Sequence, residues 1–171
     1  MEIGKKGVLA LLCESSYSKN DGYTSPKHKL TDKIESIFED ATGRIIISSY
    51  AQNAFRTQEI AQLAKKYNRK ICFYGRDKYD NTNTIMRIAR HTKRPILDIH
   101  PSYIADSKAI SDKKNMDKLV VLLSGSPRRI YHDILDIIDG GDEKLKLQEN
   151  DTFIVASPVL PGTEKIANRA I

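Results

Sequence analysis

The stretch RIIISSYAQNAFRTQEI, residues 44–60, places an apolar run directly before polar residues and a helical pattern. A strand through its three consecutive isoleucines would be apolar on both faces, which is typical of a buried strand in a parallel sheet. A helix is expected to begin near Asn53, because an apolar stripe at helical spacing starts at Ile60. The stretch therefore predicts a strand, a polar loop and a crossing helix, the repeating unit of an α/β sheet.

The same alternation continues in both directions along the chain. Apolar runs of strand length occur at 7–13, 70–75, 118–124 and 152–157, with a weaker run at 95–99. Helical periodicity occupies 30–41, 60–67, 85–89 and 130–138, and a last helix is expected to start near Thr163. Because helices alternate with strands that are apolar on both faces, the sequence predicts a three-layer α/β fold with a mainly parallel sheet, formed as a single domain over residues 1–171.

Composition and charge limit the classes of protein to consider. The 171 residues are 40% hydrophobic and 29% charged, which is ordinary for a folded protein. The net charge of +6 and the pI near 9.2 are compatible with a polyanionic partner without establishing one. No apolar run approaches the roughly 20 residues of a membrane span, and the amino-terminal run lacks a signal-peptide cleavage site. We therefore expect a cytoplasmic protein with no membrane partner.

Several enzyme signatures are missing from the sequence. Cys13 and Cys72 belong to no CxxC pair and are expected to be buried thiols. A Walker loop, a GxGxxG motif and a GxSxG elbow are also missing. The histidines, which show no HxH or HxxxH spacing, are His28, His91, His100 and His132. As an independent enzyme, the chain contains no recognisable catalytic or histidine-based metal constellation.

Polar residues follow four of the predicted strands, at the ends where a parallel sheet presents loops and helix N-termini to ligands. A carboxylate there suits a metal ion, whereas hydroxyl, amide, glycine and arginine groups suit an anion such as phosphate. The candidates are Glu14 after the first strand; Ser49, Asn53 and Arg56 after the second; Gly75 and Arg76 after the third; and Ser124, Gly125, Ser126 and Arg128 after the fourth.

The loop SGSPRR, residues 124–129, is the most suggestive of these on physical grounds. Glycine lets a backbone approach an anion closely, Ser126 is expected to cap the next helix, and Pro127 suits its first turn. Arg128 and Arg129 add charge beside the positive end of that helix. An ordinary helix start uses the same residue types, so the pattern by itself leaves both interpretations open.

Taken together and in order, these motifs resemble the β-CASP domain of ribonuclease J, a ribonuclease of the metallo-β-lactamase type. Each motif is weak alone, whereas the ordered set is fairly specific and runs over nearly the whole chain. The motifs are GVLALLCESS, GYTSPKH, GRIIISSYAQNAFRTQEI, RKICFYGR, VVLLSGSPRRIYHDI and DTFIVASPVLPGTE. The resemblance implies a Rossmann-like domain whose strand-end loops face a channel for single-stranded RNA.

The resemblance also implies a longer, two-domain enzyme. In the family, a metallo-β-lactamase domain holds two zinc ions through an HxHxDH motif, and zinc-activated water hydrolyses RNA. This chain contains no HxHxDH, and its residues 1–14 would correspond to the end of a strand of that other domain. We therefore expect zinc in the full-length parent, none in this segment, and no hydrolysis by the segment alone. The implied partners are single-stranded RNA, the rest of the lactamase-type domain and, in one interpretation, another ribonuclease J-like subunit.

Two acidic positions of the family pattern are altered in this chain. Glu14 falls where the family usually has an aspartate that bridges two metal ions, and its side chain is one methylene longer. Lys27 replaces an acidic residue and can contribute only positive charge. These departures fit a degenerate paralogue in which catalysis is weakened or lost while RNA or partner binding persists.

The RNA-facing loops keep part of the family pattern. Asp77 replaces the serine of a GRS turn, and residues 127–129 replace the QGE of a TGSQGE loop, which gains positive charge. Tyr50, Phe55 and Tyr131 flank the loops and either stack on bases or fill the core. The matching residues are Asn53 and Arg56 in a FASNxxR-type turn, Gly75 and Arg76 in the GRS turn, and Gly125 and Ser126 in the TGSQGE loop.

Three interpretations of function therefore stay open. The leading one is an RNA-binding β-CASP domain of a ribonuclease J-like, zinc-dependent ribonuclease in RNA processing or decay, inactive alone. A second is a non-catalytic subunit that serves as a scaffold in a ribonuclease complex. A third is an unrelated α/β domain for a nucleotide or small ligand. At least five parallel strands, with the SGSP and YAQN loops at opposite ends of the sheet, would favour the third.

Overall fold

The computed structural model describes residues 2–12, 19, 31–75, 91 and 97–171. Helices and strands alternate over most of this part of the chain. The strands are β1 (Ile45–Tyr50), β2 (Lys70–Tyr74), β3 (Leu119–Gly125) and β4 (Thr152–Val155). The helices are α1 (Glu2–Lys5), α2 (Thr31–Asp40), α3 (Ala54–Lys66), α4 (Ile130–Ile138) and α5 (Glu164–Ala170), with 3-10 helices at Pro101–Tyr103, Ser107–Ser111 and Lys113–Lys118.

The four described strands form one parallel sheet in the order β2-β3-β1-β4. The three-isoleucine run lies in β1, which is flanked by β3 on one side and β4 on the other. A central strand is covered on both faces, so β-branched side chains can be buried at every position. The parallel α/β fold predicted from the sequence is confirmed.

Helices cover both faces of the sheet and make three layers. Because successive side chains of a strand point to opposite faces, Ile45 and Ile47 pack with α2 and α3, while Ile46 packs with α4 and α5. Phe38 of α2 is 2% exposed in the first core, and Tyr131 of α4 is fully buried in the second. The sheet is therefore a shared wall between two apolar cores, and its strand ends are left to carry polar groups.

The amino edge of the sheet is held by a buried ion pair. The Arg44 guanidinium donates to both carboxylate oxygens of Asp151, at 2.8 Å and 2.5 Å, and the two side chains are 1% and 4% exposed. Its remaining N–H groups donate to the carbonyls of Ile110 and Lys146, each at 2.7 Å. One side chain thus connects the starts of β1 and β4 with two flanking loops, which leaves the opposite, carboxyl edge as the edge for a site.

Two of the apolar runs do not form strands in the described part of the chain. Residues 7–12 of the predicted first strand lie outside the sheet, and Leu9 and Leu12 are almost fully exposed. In the weaker run, Leu97 and Ile99 are buried without strand structure. Burial can be satisfied by irregular backbone, and a strand needs a neighbour for its N–H and C=O groups. The predicted helix at 85–89 lies outside the described residues.

No helix among the described residues is both long and apolar enough to cross a membrane.

Candidate functional site

At the carboxyl edge of the sheet, the loops that follow β1 and β3 lead to opposite faces, and we call the space between them the β1–β3 crevice. These two strands are neighbours, yet the chain goes from β1 to α3 on one face and from β3 to α4 on the other. Open α/β sheets bind ligands where neighbouring loops part in this way. The N–H of Ala51 donates to the carbonyl of Gly125 at 3.2 Å, so the YAQN and SGSP loops meet at the same edge.

Two serines lie side by side beneath this crevice. Ser49 of β1 is paired in register with Ser124 of β3, and both are buried. Ser49 is only 1% exposed, and its Oγ has no hydrogen-bond partner among the described residues. A buried hydroxyl in that condition costs about 1–3 kcal/mol. Such a group in a native fold calls for an explanation, and an absent ligand is one.

The neighbouring hydroxyls, in contrast, are satisfied within the fold. Ser48 Oγ lies 3.0 Å from Ser157 Oγ on the opposite face of the sheet. Tyr131 donates its hydroxyl to the Ser157 carbonyl at 2.7 Å. This network fixes the loop after β4 against β1 and α4. Sequence reasoning missed Ser157, because its only signal was a serine at the end of the predicted strand 152–157.

Asn53 begins α3, as the sequence predicts. Its Oδ1 accepts the backbone N–H of Arg56 at 3.0 Å, and its carbonyl accepts the Thr57 hydroxyl at 3.1 Å. Its own N–H donates to the carbonyl of Tyr50 at 3.0 Å. The loop is therefore rigidly tied to both the strand and the helix, and the exposed Asn53 amide is held beside the crevice.

Arg56 is paired inside the protein. Its Nη1 donates to Glu59 Oε2 at 2.5 Å, and the two side chains are only 11% and 13% exposed. Its Nε is buried and, within the described part of the chain, has no acceptor. Sequence reasoning singled out the arginine and missed its counter-charge, for which the i, i+3 spacing was the available signal.

The SGSPRR loop differs from the prediction at its helix. Helix α4 begins at Ile130 with Arg129 in the cap position and no side-chain cap bond, so Ser126 does not cap it. Instead the Ser126 carbonyl accepts the N–H groups of Arg129 and Ile130, each at 3.0 Å, which makes residues 126–129 a turn before the helix. Pro127 was predicted to lie in the first turn of the helix, but it lies in this preceding turn instead. Arg128 is exposed at the rim of the crevice.

The flanking aromatic residues divide into two groups. Tyr131 is fully buried and fills the core, so it is not available to a base. Tyr50 is half-buried and donates its hydroxyl to the Pro158 carbonyl. Phe55, in the first turn of α3, is 64% exposed. Of the candidate stacking residues, Phe55 is the one whose ring faces solvent next to Asn53.

Gly75 ends β2, on the far side of β3 from the Ser49 crevice, with a φ of +124° that favours glycine. It lines a separate cleft of about 540 Å³ that also contains Tyr74 and Asp142. The Tyr74 hydroxyl donates to the Asp142 carboxylate at 2.7 Å. Burial raises the pKa of Tyr74. Burial would also raise the pKa of Asp142, but the Leu145 N–H and the Tyr74 hydroxyl outweigh it and lower that pKa.

Three positions of the predicted site lie outside the described residues: Glu14, Lys27 and Arg76. In the rest of the chain, the described His, Cys, Asp and Glu residues form no group of three or more that could hold a metal ion. The described residues by themselves therefore do not fit a zinc centre.

These observations define a class of protein: an open parallel α/β domain with polar strand ends and a crevice between oppositely directed loops. A family model described as "Ribonuclease J, beta-CASP domain" matches residues 42–171. The chain belongs to this ribonuclease J β-CASP domain family.

Individual relatives agree with the family assignment. The chain is 30% identical over 148 residues to uncharacterized protein MG423 of Mycoplasma genitalium, covering 86% of this chain and 25% of that protein. It is 27% identical over 176 residues to ribonuclease J2 of Bacillus subtilis, covering 99% and 29%. It is 28% identical over 162 residues to ribonuclease J of Helicobacter pylori, covering 94% and 22%. The chain thus spans about a quarter of the length of the curated relatives that it matches.

Proposed function

We propose that the crevice between β1 and β3 binds the sugar–phosphate backbone of single-stranded RNA, as part of a longer ribonuclease J-like protein. The observation that carries the proposal is Ser49, whose buried hydroxyl has no acceptor among the described residues. A phosphate oxygen that enters the crevice would accept this hydrogen bond, and the paired Ser124 offers a second hydroxyl.

Two exposed side chains beside the crevice suit the rest of a nucleotide. Arg128 adds an exposed cation that can neutralise a phosphate. The Phe55 ring offers a stacking platform, and base stacking tolerates any sequence because every base has a π-face. The serine hydroxyls, the arginine cation and the aromatic ring together favour a single strand over a duplex, because the bases of a duplex are not available for stacking.

The unrelated small-ligand interpretation has less support. It was expected to place the SGSP and YAQN loops at opposite ends of the sheet, whereas the Ala51–Gly125 hydrogen bond joins them at one edge. Among the described residues, the cleft beside Gly75 is lined by four carboxylates and two cations, and this excess of negative charge disfavours an anionic ligand there.

Hydrolysis of the RNA would be carried out by residues outside the described part of the chain. Zinc in the parent protein would supply activated water, and this chain's own contribution would be to hold the strand. Val8, Leu9, Leu11 and Leu12 are exposed apolar residues in a segment without strand structure. Their exposure supports a protein partner at residues 1–14, for which the rest of a lactamase-type domain is the proposed candidate.

The proposal is tested by the salt dependence of RNA binding to the protein at its natural full length. A non-cleavable, 2′-O-methyl single strand of about 12 nucleotides serves as the probe, because single-strand sites span roughly 4–16 nucleotides. Arg128→Gln should reduce the magnitude of the slope of log affinity against log salt by about 0.7. Lys70→Gln, at the first residue of β2 on the amino edge, is the control and should leave the slope unchanged. Equal slopes for Arg128→Gln and wild type would exclude this edge as the RNA surface.

A further inference from the structure

We infer that Glu59 is a positioning residue that pairs with Arg56 in the RNA-free protein. When RNA binds, a phosphate replaces Glu59 as the partner of the Arg56 guanidinium. The inference rests on the proposed function and adds to it a device for controlling affinity. It concerns the first two turns of α3, the helix that follows the strand of Ser49.

The ion pair is too buried to be an ordinary surface contact. Arg56 Nη1 lies 2.5 Å from Glu59 Oε2, with 11% and 13% of the two side chains exposed. Arginine and glutamate three residues apart on a helix are usually solvated and contribute little. Here both charges are largely removed from water and lie against each other, so Glu59 offsets the positive charge that Arg56 presents to an approaching polyanion.

The resting position of the arginine is nevertheless incomplete. The guanidinium is a fork of N–H donors suited to two parallel bonds with a phosphate or carboxylate. Glu59 engages Nη1, whereas Nε is buried and lacks an acceptor among the residues that the structure describes. An oxyanion placed against the Nε edge of the guanidinium would satisfy the donor that Glu59 leaves unpaired.

A second unsatisfied donor belongs to the same strand–loop–helix unit. The Ser49 hydroxyl precedes Arg56 in that unit, and it too has no acceptor in the described part of the chain. Asn53, which lies between them in sequence, fixes the loop through its cap and its bond to Tyr50. An oxyanion can accept hydrogen bonds from both a hydroxyl and a guanidinium N–H. Both donors are therefore assigned to the same ligand, a phosphate of the RNA backbone.

The exchange has a measurable consequence. While Glu59 is charged, a phosphate must displace it, so part of the attraction of Arg56 is cancelled. Glu59→Gln removes the competing charge and keeps the side-chain size. We expect the affinity for single-stranded RNA to rise by about fivefold, the size of a single ion-pair contribution. The magnitude of the salt slope should increase by up to about 0.7, because one more phosphate contact then acts at full charge.

Four variants test the inference in the full-length protein with the same 2′-O-methyl probe. Glu59→Gln is compared with Glu149→Gln, which makes the same chemical change at an exposed position before β4, on the amino edge. Arg56→Gln and the double variant Arg56→Gln/Glu59→Gln complete a cycle. The expected result is tighter binding with a steeper slope for Glu59→Gln, no such change for Glu149→Gln, and no effect of Glu59→Gln when Arg56 is already replaced.

Other outcomes separate this inference from the proposed function. If wild type binds RNA but Glu59→Gln behaves like Glu149→Gln, or if its effect persists without Arg56, the exchange is refuted and the RNA surface stands. If wild type has no affinity for the probe, both are refuted. The Arg56 Nε–H resonance of the wild-type protein gives a test that is independent of variant folding. It should shift on titration with the probe, and an unchanged resonance at saturation would overturn the inference.

Discussion

Ser49→Ala is expected to make the protein more stable and a weaker binder of RNA. The Ser49 hydroxyl is 1% exposed and lacks a partner among the described residues, so the folded state bears a desolvation penalty of about 1–3 kcal/mol. Alanine removes the hydroxyl and leaves the backbone pairing of β1 with β3 intact. Allowing for the small void, we expect the free energy of unfolding to rise by about 1 kcal/mol, or roughly 2–4 °C in Tm.

The adjacent residue supplies a matched control. Ser48 lies on the same strand with the same burial, but its hydroxyl is 3.0 Å from Ser157 Oγ. Ser48→Ala leaves the buried Ser157 hydroxyl without that partner and should cost about 1–2 kcal/mol. Two identical substitutions at neighbouring positions are therefore expected to change stability in opposite directions, because one removes a satisfied group and the other an unsatisfied one.

Urea unfolding followed by circular dichroism measures the stability effect, and fluorescence anisotropy with the 2′-O-methyl probe measures binding. Ser49→Ala should weaken RNA binding by about tenfold, since a hydrogen bond to a charged group contributes about 1.5 kcal/mol or more. If Ser49→Ala destabilises the fold as much as Ser48→Ala does, the hydroxyl is satisfied in the free protein. If it stabilises the fold but leaves RNA affinity unchanged, Ser49 is not a ligand and the argument from its burial fails.

Three further changes follow from the same geometry. Asp151→Asn should destabilise the protein by about 3–5 kcal/mol in urea unfolding, because it leaves the Arg44 charge buried without its counter-ion; a loss below about 1 kcal/mol would contradict this. Phe55→Ala should weaken single-stranded RNA binding by about 1–3 kcal/mol in anisotropy titrations without loss of stability. Phe55→Leu should lose as much affinity as Phe55→Ala, because leucine has no ring on which a base can stack, and wild-type affinity in either variant would contradict stacking. The folded-state pKa of Asp142 lies below its ordinary value of 3.8, so its stabilising contribution is complete above that pH and is lost as the pH falls through the folded pKa. Wild type should therefore lose more stability than Asp142→Asn between about pH 5 and about pH 2, and equal losses would contradict the lowered pKa of Asp142.

Much of the fold could be predicted from local pattern. The isoleucine run of β1 is apolar at every position, which is typical of a strand covered on both faces. The helix after it begins at Ala54 with Asn53 as its cap, and a helix start near Asn53 was expected. The run at 7–12 shows the limit of the same rule. Its apolar pattern is as clear as that of β1, yet its side chains are exposed and no described strand pairs with it. An apolar pattern predicts that a segment is buried, but it does not identify the partner against which the segment packs.

The site was predictable by residue type and much less by arrangement. Ser49 and Ser124 were both expected at strand ends, but their pairing depends on β3 lying next to β1, and β2, which follows β1 in sequence, lies elsewhere. Ser126 was expected to cap a helix that begins later, at Ile130, because a turn of residues 126–129 comes first. The same residues fit both arrangements, and only the packing of α4 on the sheet decides between them.

The sequence by itself determined that this chain is a parallel α/β domain, that its polar residues gather at strand ends, and that it carries the ordered motifs of the ribonuclease J β-CASP family. These are properties of periodicity and of residue type along the chain. Only the tertiary structure decided which polar groups are satisfied. Whether a buried serine or arginine has an acceptor depends on residues distant in sequence, as Ser48 with Ser157 and Ser49 without one among the described residues demonstrate. Hydrogen bonding and desolvation act at a few ångströms in space, so the proposed RNA contact is visible only after the strands are placed side by side.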